Sequence, residues 1–278
     1  MKRLRSFIHS RYPWAIVAGL LLAASFPKIG VAGFAWVAPG LILLAAIGKG
    51  DGQAFRLGYV AGLAHYLASL YWLLLIPVTG YPILGWLALG AYLAIYPATW
   101  AWLTWKIFPA KFNPDTSTGG LRKWPEQFLT ATWTQRMLWV LSGAAAWVAM
   151  EMTISRMFSG FPWNLLGASQ YKLVPLIQIA SVTGVYGVSF LAVWMSLSLL
   201  CAGMVIICRP VMRSAWVGEI ILPMVVLVAV YGAGYRKLLR PEPKRPQLTV
   251  ALVQPSIPQR EIWDQAERDR RTSMRRDK

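Results

Sequence analysis

A few residues in this 278-residue chain have the type and setting to do chemistry. Glu151 lies near the end of an apolar segment. An ionisable side chain inside a membrane span is a candidate for function, or else for an ion pair, and Arg156 five residues on is a possible partner. His65 sits between Ala64 and Tyr66 in another apolar run and is expected to face the bundle with a hydrogen bond. Gln170 and Gln178 read as helix-end or packing groups. Cys201 and Cys208, the two cysteines, are seven apart and share a helix face without touching. There is no C-x-x-C and no Cys/His cluster, so metal and redox chemistry gain no support and no cofactor is expected. The cysteines read as small apolar packing residues.

The stretch "FSGFPWNLLGASQY", residues 158–171, is more specific. Pro162 fixes its backbone, and Trp163 suits the depth of lipid headgroups. An interface anchor accounts for it on composition alone.

These residues need elements to hold them, and composition names the kind. Hydrophobic residues make up 56% of the chain and charged ones 14%, against about 25% charged in soluble domains. Fifteen Trp and eleven Tyr suit interfacial belts. The net charge of +17 sits mostly in short runs between apolar segments. That placement marks orientation signals and contacts to anionic lipid, not a nucleic-acid surface.

Apolar length predicts seven spans, at residues 13–27, 31–47, 57–78, 82–105, 138–152, 175–207 and 216–235. The first is read as an uncleaved span and not a signal peptide, because no small-residue cleavage site follows it. The first, second and fifth are short; the sixth is too long for one straight helix and is expected to begin with a turn before "VYGVSFLAVWMSLSLLCAGMVII". Gly58 and Gly62, spaced G-x-x-x-G, are expected to let two helices approach. Pro97 is expected to kink the fourth span, and Trp100, Trp102 and Trp105 to form an interface belt at its end. Placing the N-terminus in the cytoplasm puts thirteen Lys and Arg inside against three outside. Arg236, Lys237, Arg240, Lys244 and Arg245 pull the other way.

Residues 1–240 thus read as an all-α polytopic bundle, and 241–278 as something else. "RPEPKRP" is a Pro-rich spacer. Leu248 to Val253 is apolar on both faces of a strand, as in a sheet covered on both sides. A lone strand cannot pair its backbone, so this segment is expected to be the truncated start of an α/β domain.

"GFPWNLLGASQ" with "AWVAMEM" ahead of it, "VALVQPSIPQREIWD" after the last span and "GLAHYLASLYW" in the third together resemble the bacterial apolipoprotein N-acyltransferase family. The resemblance implies that the tail opens a nitrilase-like domain outside the membrane. It implies a reaction that moves an acyl chain from phospholipid to an enzyme cysteine, then to the α-amino group of an S-diacylglyceryl cysteine on a lipoprotein. The implied partners are a phospholipid donor, a lipoprotein acceptor, the inner membrane, and, where the gene is split, a separate chain carrying the rest of the nitrilase-like domain. Phe161, Pro162, Trp163 and Asn164 are then expected to line the substrate floor below the active site. The family's catalytic Glu, Lys and Cys lie in the nitrilase-like domain, beyond Lys278, so no catalytic residue is assigned here and the chain alone is expected to be inactive. A non-catalytic membrane scaffold or lipid-binding partner derived from the same domain is the alternative.

Overall fold

A computed structural model describes residues 11–76, 81–110, 127–208, 215–240, 249–252 and 254. The helices are α1 Tyr12–Ala24, α2 Ala38–Ala46, α3 Asp51–Ser69, α4 Pro82–Leu93, α5 Ile95–Lys106, α6 Trp133–Ile154, α7 Val174–Ile177, α8 Ala180–Thr183, α9 Val185–Cys208 and α10 Val217–Leu238. Short 3-10 turns lie at Ala32–Trp36, Tyr71–Leu75, Met157–Ser159 and Leu166–Gln170. Proline stands in the first turn of α1, α2 and α4, where its missing N–H costs nothing.

Five helical stretches among the described residues are long and apolar enough to cross a membrane: Asp51–Leu75, Pro82–Lys106, Trp133–Ile154, Val185–Cys208 and Val217–Leu238. These correspond to five of the seven expected spans. The other two, α1 and α2, are helices of 13 and 9 residues, short of the roughly 20 that a bilayer requires. Their residues nevertheless belong to the main core: Ala15, Ala18, Leu22, Ile42, Leu43 and Ala46 are all buried.

The sixth expected span divides as anticipated. Gly184, with φ of 65°, ends the short α7–α8 segment and releases α9. The fourth breaks at Ala94, between α4 and α5. Pro97 cannot donate to the carbonyl four residues back and its ring presses on it, which disrupts the helix at that point. The fifth starts earlier than apolar length suggested. Thr132 accepts from Gln135 N at 3.3 Å and Gln135 Oε1 accepts from Thr132 N at 2.9 Å, so a reciprocal cap sets the start of α6.

Helix α9 is the hub, most of it buried, packed against α2, α6 and α10. Helix α10 lies at the edge and exposes Ile221, Leu222, Met224, Val225 and Val228, apolar residues suited to lipid. Gly58 and Gly62 bring α3 against α5: a Cβ on Gly58 would stand 2.8 Å from Ala101 Cβ and 2.9 Å from Pro97 O. The expected close approach is therefore present, and its partner is the helix carrying Pro97.

Trp100 does not join the expected interface belt, and Trp105 is half-buried. Trp100 is fully buried, donates to Gly143 O at 2.8 Å and packs edge-on against Trp147. Trp105 donates to Leu43 O at 3.0 Å and meets Trp139. Both sit on the face of α5 that turns to α6 and α2, where an indole N–H can meet a main-chain carbonyl. Trp102 keeps a position beside Lys106, whose Nζ lies 5.9 Å from its ring centre.

One buried ion pair ties α6 to α10. Arg136 Nε donates to Glu219 Oε1 at 3.1 Å, its second nitrogen reaches the same oxygen, and both side chains are buried. Trp133 Nε1 donates to Gly218 O at 2.9 Å alongside. Asp51 and Lys106 pair at 2.6 Å on the surface, and Trp139 donates to Thr104 O at 2.6 Å. One end of the bundle is thus charged. The other end carries the 158–171 loop, and Lys237 at the end of α10 meets Ser181 there at 2.8 Å.

The tail shows no strand among its described residues. Thr249–Leu252 has no regular structure, and Leu252 is 93% exposed. Backbone groups of a strand need a neighbour, and no described segment lies alongside. Leu248 and Val253, the ends of the expected strand, and residues 241–246 of the spacer lie outside the described residues.

Two pairs of variants test the packing. Gly58→Leu should lower stability in detergent by about 1–3 kcal/mol through overpacking, whereas Gly52→Ala, which meets nothing within 4 Å, should leave it unchanged or slightly raised. Glu219→Leu should cost roughly 3–5 kcal/mol by stranding Arg136, and adding Arg136→Met should restore most of the loss. Thermal unfolding of the four proteins reads both.

Candidate functional site

The loop that sequence singled out leaves α6 under strain. Phe158, Ser159 and Asn164 have φ of 51°, 74° and 59°, and they are the positive-φ residues other than glycine among those described. Asn tolerates that region; Phe and Ser adopt it at a cost, and such residues persist where surrounding contacts over-determine them. Gly160, at φ 79°, makes the sharpest turn: a Cβ there would stand 2.3 Å from Ser155 O.

Three clamps supply the over-determination. Asn164 Nδ2 donates to Ser69 Oγ at 2.8 Å, tying the loop to the end of α3. Leu166 N donates to Glu151 Oε1 at 2.7 Å. Gly167 N donates to Ser189 Oγ at 2.8 Å on α9. Beyond them Gln170, fully buried, accepts from Trp36 Nε1 at 2.9 Å and donates to Ala32 O at 3.0 Å. The packing role expected of Gln170 is therefore observed. Gln178 donates to Val174 O at 3.3 Å within its own short helix.

Glu151 departs from one expectation. Its partner is not Arg156, which donates to Met152 O at 3.2 Å instead. Glu151 is 5% exposed and accepts from Trp147 Nε1 at 2.9 Å as well as from Leu166 N. The direction of α6 decides this: five positions on, Arg156 has passed the end of the helix. His65 is 3% exposed and bundle-facing, as expected. Its ring touches Tyr66 at 4.6 Å and Phe26 at 5.6 Å, but Nδ1 lacks the expected hydrogen bond.

The loop and these two residues share one cavity. Its wall includes His65, Tyr96, Trp147, Glu151, Trp163 and Asn164. Of the four loop residues named from sequence, Trp163 and Asn164 line it. Phe161 packs beside it on the cluster of Tyr66, Leu70, Leu93, Tyr96 and Ile154. Pro162 lies between Phe161 and Trp163 and does not line it. Trp163 is 52% exposed and stacks loosely on Trp72 at 5.4 Å, so an aromatic surface stands above the cavity. The cysteines stand elsewhere. Cys201 is buried within α9, Cys208 ends that helix, and neither lines the cavity.

Sequence reading missed Ser69, Ser189 and Trp147. A small hydroxyl in a helix carries no signal of its own. The S-x-Y-W run after Ser69 and the E-x-x-x-W spacing read backwards from Glu151 are visible only once the contacts are known.

No group of His, Cys, Asp or Glu among the described residues is arranged to hold a metal ion. A family model described as the apolipoprotein N-acyltransferase N-terminal domain matches residues 18–198. The chain is similar to a curated apolipoprotein N-acyltransferase of Geobacter metallireducens, 34% identical over 267 residues, which covers 91% of this chain and 44% of that protein. It is 31% identical to one from Chromobacterium violaceum over 76% of this chain and 36% of that protein. For Rickettsia prowazekii the figures are 30% identity, 77% and 38%. The chain therefore spans less than half the length of these relatives.

Glu151→Leu should loosen the loop. An amide that loses its only acceptor costs about 1–3 kcal/mol, so hydrogen exchange at Leu166 should quicken roughly ten- to a hundredfold. Asn164→Val removes the Ser69 clamp and forces a β-branched residue into positive φ; Asn164→Gly should be milder. Equal exchange at 164–167 in all three variants would show the clamps to be idle.

Proposed function

The chain belongs to the apolipoprotein N-acyltransferase family, and from that premise we propose that it forms the membrane part of such an enzyme. The reaction proposed is transfer of an acyl chain from a phospholipid to the N-terminal amine of an S-diacylglyceryl cysteine on a lipoprotein. In it a thiol attacks the phospholipid ester, forming a thioester and releasing the lysophospholipid. The amine then attacks the thioester, forming an amide and freeing the thiol. A carboxylate beside the thiol takes its proton, and donors near the carbonyl stabilise the oxyanion.

The observation that carries the proposal is the 158–171 loop. It is strained, clamped at three points and topped by a half-exposed Trp163, and it lies within the match to the family's N-terminal domain. In this reading Phe161, Pro162, Trp163 and Asn164 form a floor on which an acyl chain and its headgroup rest. The apolar face of α10 leaves the bundle accessible to lipid sideways. The thiol is not one of the chain's own two: Cys201 is sealed inside α9 and Cys208 lies at that helix's far end from the loop. Residues 250–264 resemble the first strand and turn of a nitrilase-like domain, which supports placing the covalent chemistry in that domain. The positive-inside count supports an inner-membrane protein with its N-terminus in the cytoplasm, the loop and tail facing out and α1 and α2 as short spans.

A phospholipid carrying a photoactivatable group near its headgroup tests the floor. In vesicles holding the purified chain, crosslinks should concentrate at 158–166, and Trp163→Ala should reduce them several-fold. No hydroxylamine-sensitive acyl label should form on the chain by itself. Crosslinks indifferent to Trp163 would remove the floor; a thioester on Cys201 or Cys208 would remove the assignment of chemistry elsewhere.

A further inference from the structure

The cavity beneath the loop holds a feature that acyl transfer does not use. Four buried side-chain polar atoms among the described residues make no hydrogen bond of good geometry: His65 Nδ1, Thr104 Oγ1, Glu151 Oε2 and Trp194 Nε1; the Ser189 hydroxyl stands near the Glu151 carboxyl, whose oxygens can each accept more than one donor. Two of the four atoms, on α3 and α6, belong to residues that line this one cavity. An unmade hydrogen bond in an apolar interior costs free energy, and in a membrane protein water outside the bundle cannot supply it. The cavity is about 20 Å³ in volume, and its walls also include Leu22, Phe26, Tyr66, Tyr96 and Trp100. A single water needs roughly 10–15 Å³ measured this way and two or more polar partners.

We propose that this cavity is a binding site for one small hydrogen-bond donor, held between Glu151 Oε2 and His65 Nδ1. The carboxylate oxygen accepts from it. A water molecule completes the pair with either tautomer of His65, because it can donate to a bare Nδ1 or accept from a protonated one. A primary ammonium, as at the end of a lipid headgroup, is of similar size and offers the same donors, but it requires the Nδ1 lone pair. Aromatic walls favour a cation as well. The shared chemistry is donation to Glu151; water is the resting occupant, and an ammonium group is the competitor for its place. The other oxygen of the same carboxylate holds Leu166 N, so the occupant sits one carboxylate away from the loop. Its presence does not depend on the acyl-transfer reading.

The test uses the whole chain in lipid nanodiscs. A high-resolution map should show a density peak within hydrogen-bonding reach of both Glu151 Oε2 and His65 Nδ1. Thermal unfolding of His65→Leu, Glu151→Gln and the double variant adds an energetic reading, with Thr104→Val as the control for an orphan outside the cavity. If the cavity is occupied, His65→Leu lowers the Tm and the double variant departs from additivity. If it is dry, replacing an unsatisfied imidazole by an apolar side chain raises the Tm, as Thr104→Val does. Methylammonium titrated into the wild type separates the two sources: a rise in Tm that His65→Leu abolishes assigns an ammonium, while an unchanged Tm with the peak present assigns water. An empty map, or a raised Tm for His65→Leu with additive behaviour in the double variant, overturns the proposal.

Discussion

In a bundle this apolar, polar groups have to find their partners inside the chain. The indole N–H of tryptophan meets much of that demand. Trp100 reaches Gly143 O, Trp139 reaches Thr104 O, Trp105 reaches Leu43 O and Trp86 reaches Leu67 O. Each bond joins two different helical elements, and each indole brings a large apolar body that fills the space around it. The packing of α2, α5 and α6 is therefore fixed in register as well as in distance. A Leu at these positions would fill volume and leave the carbonyl approach unspecified.

The same rule explains the loop. A connection that turns back over the bundle, with positive φ at Phe158, Ser159 and Asn164, is unfavourable by itself. Its amides at Leu166 and Gly167 are met by side chains on α6 and α9, and the Asn164 amide is met by Ser69 on α3. Three helices thus hold one loop. Clamps of that kind leave the loop ordered before any ligand arrives. Glu151 is central because one oxygen of its carboxyl serves both Trp147 and Leu166, and the residue also lines the cavity.

Buried charge is paired by the same logic. The buried Arg136–Glu219 pair and the surface Asp51–Lys106 pair lie at the end of the bundle away from the loop. Pairing Arg136 within the protein allows α10 to present an almost wholly apolar face outward. The loop end carries the three clamps, one of them the Glu151 carboxyl, together with Lys237 and aromatic side chains, which suit an interface with lipid headgroups.

Much of this was legible in the residues. Hydrophobic run length located the five long helices, Gly58 and Gly62 announced a close crossing, Pro97 announced a break and the "GFPWN" run pointed to the loop. These are local signals, carried by spacing along one segment, and local physics suffices to read them. What spacing does not carry is which segment a side chain meets. Trp100 looks like an interface residue in one dimension and is an interior one in three. Glu151 has a plausible ion-pair partner five positions on and in fact holds a backbone amide fifteen positions on. The short α1 and α2 read as spans by hydropathy, and hydropathy alone does not show that their side chains join the main core. Those outcomes depend on how helices distant in sequence are brought together. Only the folded bundle settles them, because a buried polar group is satisfied by whatever lies nearest in space.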